Sequence, residues 1–179
     1  MSRIPLVDPA AAVPQSREIL DAFKAKVGMV PNLLKALAHS PAALQFYTSG
    51  SDVLSRASLS AGLREKLAIA IAEANSCDYC LSAHTAIGKM VGVAGDELAA
   101  ARTARSSDAK DAAALVFAQT VVQRQGRVTD DDLKAVRAAG LGDAQIAEIV
   151  AVVAINIFTN YFNHIADTPI DFPRLKAGH

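Results

Sequence analysis

Apolar side chains recur at intervals of three and four residues along most of the chain, and this spacing restricts the fold more than any other feature. Such intervals place apolar groups on one face of an α-helix, whereas a half-buried strand requires strict alternation. No segment alternates apolar and polar residues cleanly. Apolar residues make up 51% of the chain and aromatic residues only 5%, a composition that suits closely packed helices. The pattern predicts an all-α fold.

Signals for helix starts and ends divide this pattern into successive helices. N-caps are predicted at Ser16, Ser40, Ser60, Asp108 and Thr129, and helix ends at Gly28, Gly126 and Gly140. The last long helix is predicted from Asp143 to Ala166. We expect a single helical domain over residues 1–179, with an N-terminal arm at 1–14 and an irregular tail at 168–179.

A weak internal similarity accompanies this helical pattern. An offset of 83 residues aligns Glu65 with Glu148 and places Cys77 and Cys80 on Asn160 and Asn163. A duplication would give two pseudo-repeated halves, of which the second lacks the thiols. Chance alignment of two alanine-rich helices is the alternative.

The charge balance limits the partners that we expect. Eighteen basic and eighteen acidic residues give a net charge of zero, which argues against a nucleic-acid partner. The longest apolar stretch, Ile149 to Phe158, is about half of the roughly 20 residues that cross a membrane. Residues 1–14 contain no apolar secretory region. We therefore expect a cytoplasmic protein without a membrane partner.

The two cysteines, Cys77 and Cys80, form a single C-x-x-C motif. This loop is too short to stabilise a fold much, so the pair indicates redox chemistry or a metal site. Zinc usually takes four ligands, and His84 and Glu65 would have to complete the set. Because there is no second C-x-x-C, we favour a redox pair and expect neither metal nor cofactor. A thioredoxin fold would need a preceding strand, but residues 67–74 are predicted to be helical.

The residues around the cysteines form a candidate proton relay. Cys77 lies at a predicted helix start, where free N–H groups and the helix dipole stabilise a thiolate. His84 follows Cys80 by four residues and lies on the same helix face, so its ring can take a thiol proton. Glu65, on the preceding helix, is the expected partner of His84, with Glu73 as the alternative carboxylate. A thiolate, a base and a second thiol are what peroxide reduction requires.

This stretch resembles the AhpD-like branch of the carboxymuconolactone decarboxylase superfamily. The match is a Glu twelve residues before a C-x-x-C and a His four residues after it, within LSAGLREKLAIAIAEANSCDYCLSAHT. The segments MVPNLLKALAHSPAALQFY and NYFNHIADTPIDFP are also similar to that branch, so the resemblance covers roughly residues 27–173. It implies a helical homo-oligomer, a trimer or hexamer, with alkyl hydroperoxide reductase activity.

The resemblance also implies the role of each residue. Cys80 would attack the peroxide, Cys77 would resolve the sulfenic acid, and His84 and Glu65 would form the relay. Members with peroxidase activity can carry a second His where this chain has Tyr79, whose phenol is a poor base at neutral pH. The substrate would be an organic hydroperoxide, and the reductant a thiol or a lipoyl-bearing protein.

Two other functions fit the same scaffold. A lactone decarboxylase or related lyase would not depend on the cysteine pair. A non-enzymatic redox sensor would form the same disulfide without rapid turnover.

Overall fold

The computed structural model describes residues 2–178; Met1 and His179, the ends of the predicted arm and tail, lie outside them. Nine α-helices are present in this part of the chain, and no strand. They are α1 (Pro14–Val27), α2 (Asn32–Leu37), α3 (Pro41–Ser55), α4 (Ala61–Ala74), α5 (Asp78–Met90), α6 (Gly95–Ala101), α7 (Ala109–Gln123), α8 (Asp130–Ala138) and α9 (Asp143–Ala166). The predicted all-α fold is confirmed.

Four of the five predicted N-caps are confirmed. The side chains of Ser40, Ser60, Asp108 and Thr129 each accept a hydrogen bond from the backbone N–H three residues later. Ser16 is not a cap, because Pro14 already begins α1 and proline fits the first helical turn. The buried Ser16 hydroxyl instead donates to the carbonyl of Ala38, 2.8 Å away, and joins α1 to the end of α2.

Helix α4 occupies the centre of the molecule and contacts α5, α6, α7 and α9. Its residues 66–72 are all buried, as expected for a helix that is covered on every side. Helix α9 is long and apolar enough to cross a membrane by length and composition. Its buried face packs on α4 and carries three buried asparagines, Asn156, Asn160 and Asn163. In this fold α9 is a core helix.

The two halves aligned by the offset of 83 residues do not share a hairpin. Residues 75–77 form the turn between α4 and α5, whereas the aligned residues 158–160 lie inside the continuous helix α9. The predicted arm is not fully extended either, since Pro9–Ala11 form one turn of 3-10 helix capped by Asp8.

The tail contains no helix in residues 168–178, as predicted, but it is fixed to α5. The backbone N–H of Leu175 donates to the Ser82 hydroxyl at 2.9 Å, and that of Ala177 to the Asp78 carboxylate at 2.8 Å. The tail therefore covers the first turn of α5.

An apolar surface lies along the outer side of α3 and α9. Phe46, Val150, Tyr161 and Ile165 are between 45% and 63% exposed. Phe46 also packs edge to face on Phe158, with ring centroids 5.2 Å apart.

Close packing between α4, α5 and α6 depends on Gly88 in α5. A Cβ atom at this position would lie 2.6 Å from a Leu98 methyl group and 3.6 Å from Cβ of Glu65. The glycine thus permits α5 to lie against both neighbouring helices.

Candidate active site

The turn between α4 and α5 places both cysteines at the start of a helix. Helix α4 ends in a Schellman motif: the N–H of Cys77 donates to the carbonyl of Ala72 at 2.8 Å, and that of Ser76 to Glu73 at 3.0 Å. Ser76 takes the left-handed conformation, with φ of 54°, that glycine usually adopts there. Asn75 donates to Asn160 at 2.9 Å and holds the turn against α9.

Cys77 is the N-cap of α5, as the sequence predicts, and its sulfur does the capping. Sγ of Cys77 accepts a hydrogen bond from the backbone N–H of Cys80 at 3.3 Å. Cys80 lies one turn further along the same helix. Both thiols are free, and the two residues are only 1% and 3% exposed. The structure therefore places two reduced sulfurs next to each other in a buried site.

Cys80 is the thiol whose environment favours the thiolate. Burial alone would raise the pKa of Cys80, but four other groups outweigh it. They are a hydrogen bond from Cys77, the positive charge of His84, and the side-chain amides of Asn163 and Asn160. Asn163 Nδ2 donates to Cys80 Sγ at 3.3 Å. The net effect is a pKa below that of an ordinary cysteine.

Cys77 behaves in the opposite way. Its hydrogen bond to Cys80, followed by burial, raises the pKa of the Cys77 thiol far above its usual value. Of the two thiols, Cys80 is therefore the stronger acid and the better candidate for the nucleophile, and Cys77 is the one that more readily keeps its proton.

His84 and Glu65 form the predicted pair. Nδ1 of His84 lies 2.7 Å from Oε2 of Glu65, and the two side chains are 21% and 18% exposed. Burial lowers the pKa of His84, but the charge and hydrogen bond of Glu65, together with the charge of Cys80, raise it above its usual value. Glu65 engages Nδ1, so Nε2 is the ring nitrogen left to exchange a proton with a reacting molecule.

The two secondary candidates, Tyr79 and Glu73, form hydrogen bonds with the C-terminal tail. The hydroxyl of Tyr79 donates to Asp171 at 2.9 Å and accepts from the backbone N–H of Leu33 at 3.1 Å. Glu73 pairs with Arg102 and accepts from the backbone N–H of Gly178 at 2.9 Å. Neither side chain forms a hydrogen bond with a cysteine.

Three further residues, which the sequence analysis did not assign to the site, lie near the cysteines. Asn163 contacts Cys80 from α9, Asn160 lies one turn earlier on the same helix, and Tyr47 on α3 lies within range of the charge of Cys80. Burial, followed by the negative charges of Cys80 and Glu65, raises the pKa of Tyr47 to about 12. The offset of 83 residues did pair the two asparagines with the two cysteines, but nothing local in the sequence identifies Tyr47.

An open cleft of about 640 Å³ adjoins the pair on the side of Cys77. Its lining includes Cys77, Tyr79, Asn163, His164, Thr168 and Arg174. Cys80, His84 and Glu65 are not among the lining residues. The cleft therefore borders Cys77 and does not extend to the His84–Glu65 pair.

A zinc site is not formed by these residues. Within residues 2–178, no group of three or more His, Cys, Asp or Glu side chains is placed to hold a metal ion. His84 instead uses its Nδ1 for the hydrogen bond to Glu65. The arrangement suits thiol chemistry with an acid–base pair beside it.

Part of the chain matches a known protein family. Residues 41–123 match the carboxymuconolactone decarboxylase family, a segment that includes Glu65, both cysteines and His84. Asn160 and Asn163 lie outside that segment. No curated protein sequence matches the chain.

Solved structures share the fold over nearly the whole length. One is the alkylhydroperoxidase AhpD core of an uncharacterized peroxidase-related protein from Ralstonia eutropha JMP134: the TM-score is 0.84, the identity 27%, and the match covers 95% of this chain and 92% of that chain. For an uncharacterized peroxidase-related protein from Silicibacter sp. TM1040, the TM-score is 0.81 and the identity 25%, and the match covers 93% of this chain and 89% of that chain. For the debrominase Bmp8 in complex with 2,3,4-tribromopyrrole, the TM-score is 0.80 and the identity 18%, and the match covers 96% of this chain and 92% of that chain. The likeness to Bmp8 is one of fold.

Proposed function

Because the chain belongs to the AhpD-like carboxymuconolactone decarboxylase superfamily, we propose that it is a thiol-dependent alkyl hydroperoxide reductase. One observation carries this proposal: the Cys80 sulfur accepts a hydrogen bond from Asn163, one helical turn after Cys77 and near a His84 that is paired with Glu65. The peroxidase-related proteins of the same fold support it.

In the first step the Cys80 thiolate attacks the terminal oxygen of an organic hydroperoxide. An S–O bond forms, the O–O bond breaks, and the alkoxide leaves as the alcohol after taking a proton from Nε2 of His84. Glu65 stabilises the imidazolium that supplies this proton. Cys80 is then a sulfenic acid.

In the second step Cys77 attacks the sulfenic sulfur of Cys80. An S–S bond forms, the S–O bond breaks, and the hydroxide takes up the Cys77 proton and leaves as water. The two thiols lose two electrons, and the peroxide becomes an alcohol and water. A cellular thiol or a lipoyl-bearing protein then returns the disulfide to two thiols.

The setting that we propose follows from this cycle. A disulfide that must be reduced at every turnover requires a reducing compartment, which favours the cytoplasm. The exposed apolar surface of α3 and α9 is consistent with a homo-oligomer, for which the resemblance to the AhpD-like branch implies a trimer or hexamer. The balanced charge gives no reason to expect a nucleic-acid or membrane partner.

Anaerobic thiol titration tests the proposal. Reduced protein mixed with one equivalent of an organic hydroperoxide should lose about two thiols per chain and gain one disulfide. The Cys80→Ser variant should leave the peroxide unconsumed. The Cys77→Ser variant should yield a sulfenic acid on Cys80 that a dimedone-type reagent traps. An unchanged thiol count in the unmodified protein would contradict the proposal.

The same samples separate the two alternatives. A lyase on this scaffold would keep its activity after both cysteines are alkylated. A redox sensor would form the disulfide no faster than a small free thiol reacts with the same peroxide.

A further inference from the structure

The two cysteines are both buried, but they differ in their position relative to the open cleft of about 640 Å³. Cys77 is among the residues that line this cleft, whereas Cys80 is not. Cys80 is enclosed by Cys77, by Asn163 and by the side of the site that holds His84. A molecule inside the cleft meets the Cys77 side of the pair first.

Two buried polar atoms at this cleft have no partner among residues 2–178. They are Oδ1 of Asn163 and Oγ1 of Thr168, on residues that are only 4% and 7% exposed. Both residues line the cleft, and the Thr168 N–H donates to the Asn163 carbonyl, so they are adjacent. Buried polar groups are nearly always hydrogen-bonded, so this acceptor and this hydroxyl are two groups at the cleft that an ordered water or a polar group of an entering molecule would satisfy.

We propose that this cleft is the entrance for the thiol reductant, which attacks the disulfide at Cys77 and never at Cys80. This inference rests on the proposed peroxidase cycle and assigns the route of its reductive half. The oxidising peroxide is handled at His84 and Glu65, which do not line this cleft. The two substrates then use separate approaches to one pair of sulfurs.

The reductive steps balance as follows. A reductant thiolate attacks Sγ of Cys77; a new S–S bond forms, the Cys77–Cys80 bond breaks, and Cys80 leaves as the thiolate. A second reductant thiol attacks the reductant's own sulfur in this mixed disulfide and releases Cys77, which takes up the proton of that second thiol. The reductant gives up two electrons and ends as its disulfide.

The chemistry of the leaving group favours the same direction. Disulfide exchange is faster when the departing sulfur is the better thiolate and when the attacked sulfur is the accessible one. His84 and Asn163 lower the pKa of Cys80, so Cys80 is the better leaving thiolate, and Cys77 is the cysteine that lines the cleft. Both requirements select Cys77 as the attacked atom.

The position of the mixed disulfide tests the route directly. Protein oxidised with diamide, so that no peroxide reaction is needed, is exposed briefly to glutathione, quenched with acid, alkylated and sequenced by tandem mass spectrometry. We expect glutathione on Cys77 in about tenfold excess over Cys80, which corresponds to a difference of about 1.4 kcal/mol between the two attacks. Equal labelling, or more label on Cys80, would overturn the proposal.

A bulky residue in the cleft provides a second test. His164→Trp narrows the cleft, and Val116→Trp, at an exposed site on α7, is the matched control. With dithiothreitol as reductant, His164→Trp should lower the ratio of the reduction rate to the peroxide-oxidation rate by about tenfold, and Val116→Trp should leave that ratio unchanged. An unchanged ratio in His164→Trp would refute the route.

The outcomes of these tests distinguish a wrong reductant route from a wrong proposed function. If the protein does not react with peroxide but glutathione still marks Cys77, the cleft is a reductant entrance in a protein with another oxidant. If peroxide oxidises the pair but glutathione marks Cys80, the peroxidase proposal stands and the route is wrong.

Discussion

The carboxylate of Glu65 lies 2.7 Å from Nδ1 of His84, although the two residues belong to different helices and are 19 positions apart. The contact exists because the Schellman turn at residues 75–77 folds α5 back along α4. Glu73 is nearer to Cys77 in the sequence, but it points to Arg102. The antiparallel packing of α5 on α4, and not proximity in the sequence, therefore makes Glu65 the partner of His84.

Glu65→Gln should lower the pKa of His84 and slow the oxidation of the thiols by peroxide. The carboxylate is what raises the pKa of His84 against burial, so its neutral replacement leaves less imidazolium at neutral pH. We expect a loss of about 10²-fold in rate, typical for the removal of acid–base assistance. NMR titration of the His84 ring and stopped-flow oxidation provide the two readouts.

Glu73→Gln is the matched control for this substitution, since it removes a carboxylate from the same helix. The Glu73→Gln variant should leave the pKa of His84 unchanged. If Glu73→Gln moved the pKa of His84 as much as Glu65→Gln, the assignment of the relay would be wrong.

Asn163→Ala should raise the pKa of Cys80. The amide hydrogen bond to Sγ is one of the groups that hold this pKa below its usual value. A hydrogen bond to a charged group contributes about 1.5–3 kcal/mol, so oxidation at neutral pH should slow by roughly tenfold or more. Ultraviolet absorbance of the thiolate against pH measures the shift.

Asn156→Ala is its control, because Asn156 is also a buried asparagine of α9 but donates to the carbonyl of Val152. Its effect should be on stability alone. A Cys80 pKa that does not respond to Asn163→Ala would remove the asparagine from the site.

Tyr79→Phe should destabilise the protein without moving the pKa of Cys80. The hydroxyl joins Asp171 of the tail to the start of α2, and its loss leaves the buried N–H of Leu33 unpaired. We expect a decrease of about 1–3 kcal/mol in the free energy of unfolding, measured in denaturant. Tyr161→Phe, at an exposed ring, should have no such effect; equal stability in the two variants would be inconsistent with this role.

Stability should fall with acid, in part through Glu97. Hydrogen bonds from Ser106 and Ser107, followed by Lys66, hold the pKa of Glu97 far below its usual 4.5. A depressed carboxylate pKa contributes stability that is present above the unfolded value and is lost as the pH falls below it. The contribution of Glu97 should therefore disappear progressively below pH 4.5.

Glu97→Gln should flatten this dependence when unfolding is measured from about pH 7 down to about pH 3. Glu18→Gln, at an exposed carboxylate of α1, should keep the original slope. Identical slopes in both variants would exclude Glu97 as a source of the acid sensitivity.

The sequence is informative wherever the cause is local. The caps at Ser40, Ser60, Asp108 and Thr129, and the start of α5 at Cys77, follow from side chains that act within one helical turn. The approach of His84 to Glu65 was also predictable, because a short break after Ala74 permits only an antiparallel return of α5.

Contacts set by the crossing of distant helices could not be predicted in the same way. Asn163 reaches Cys80 across 83 residues, and its place depends on how α9 lies against α4 and α5. The offset of 83 residues also aligns Asn163 with Cys80, but the two residues contact each other in the fold and do not occupy equivalent places in two repeated hairpins. Tyr79 occupies the position of a second histidine in the resemblance and is expected to be a poor base, but its bonds to Asp171 and Leu33 depend on distant elements that its sequence position does not predict.

The missing side chain at Gly88 limits how α6 can approach the helix that carries His84. Gly88 follows His84 by one helical turn, and a methyl group there would collide with a methyl group of Leu98, whereas Glu65 would lie at an ordinary van der Waals distance. Alanine at this position would therefore have to displace the Leu98 side chain of α6. The spacing of the helices around the acid–base pair thus depends partly on a residue that carries no functional group.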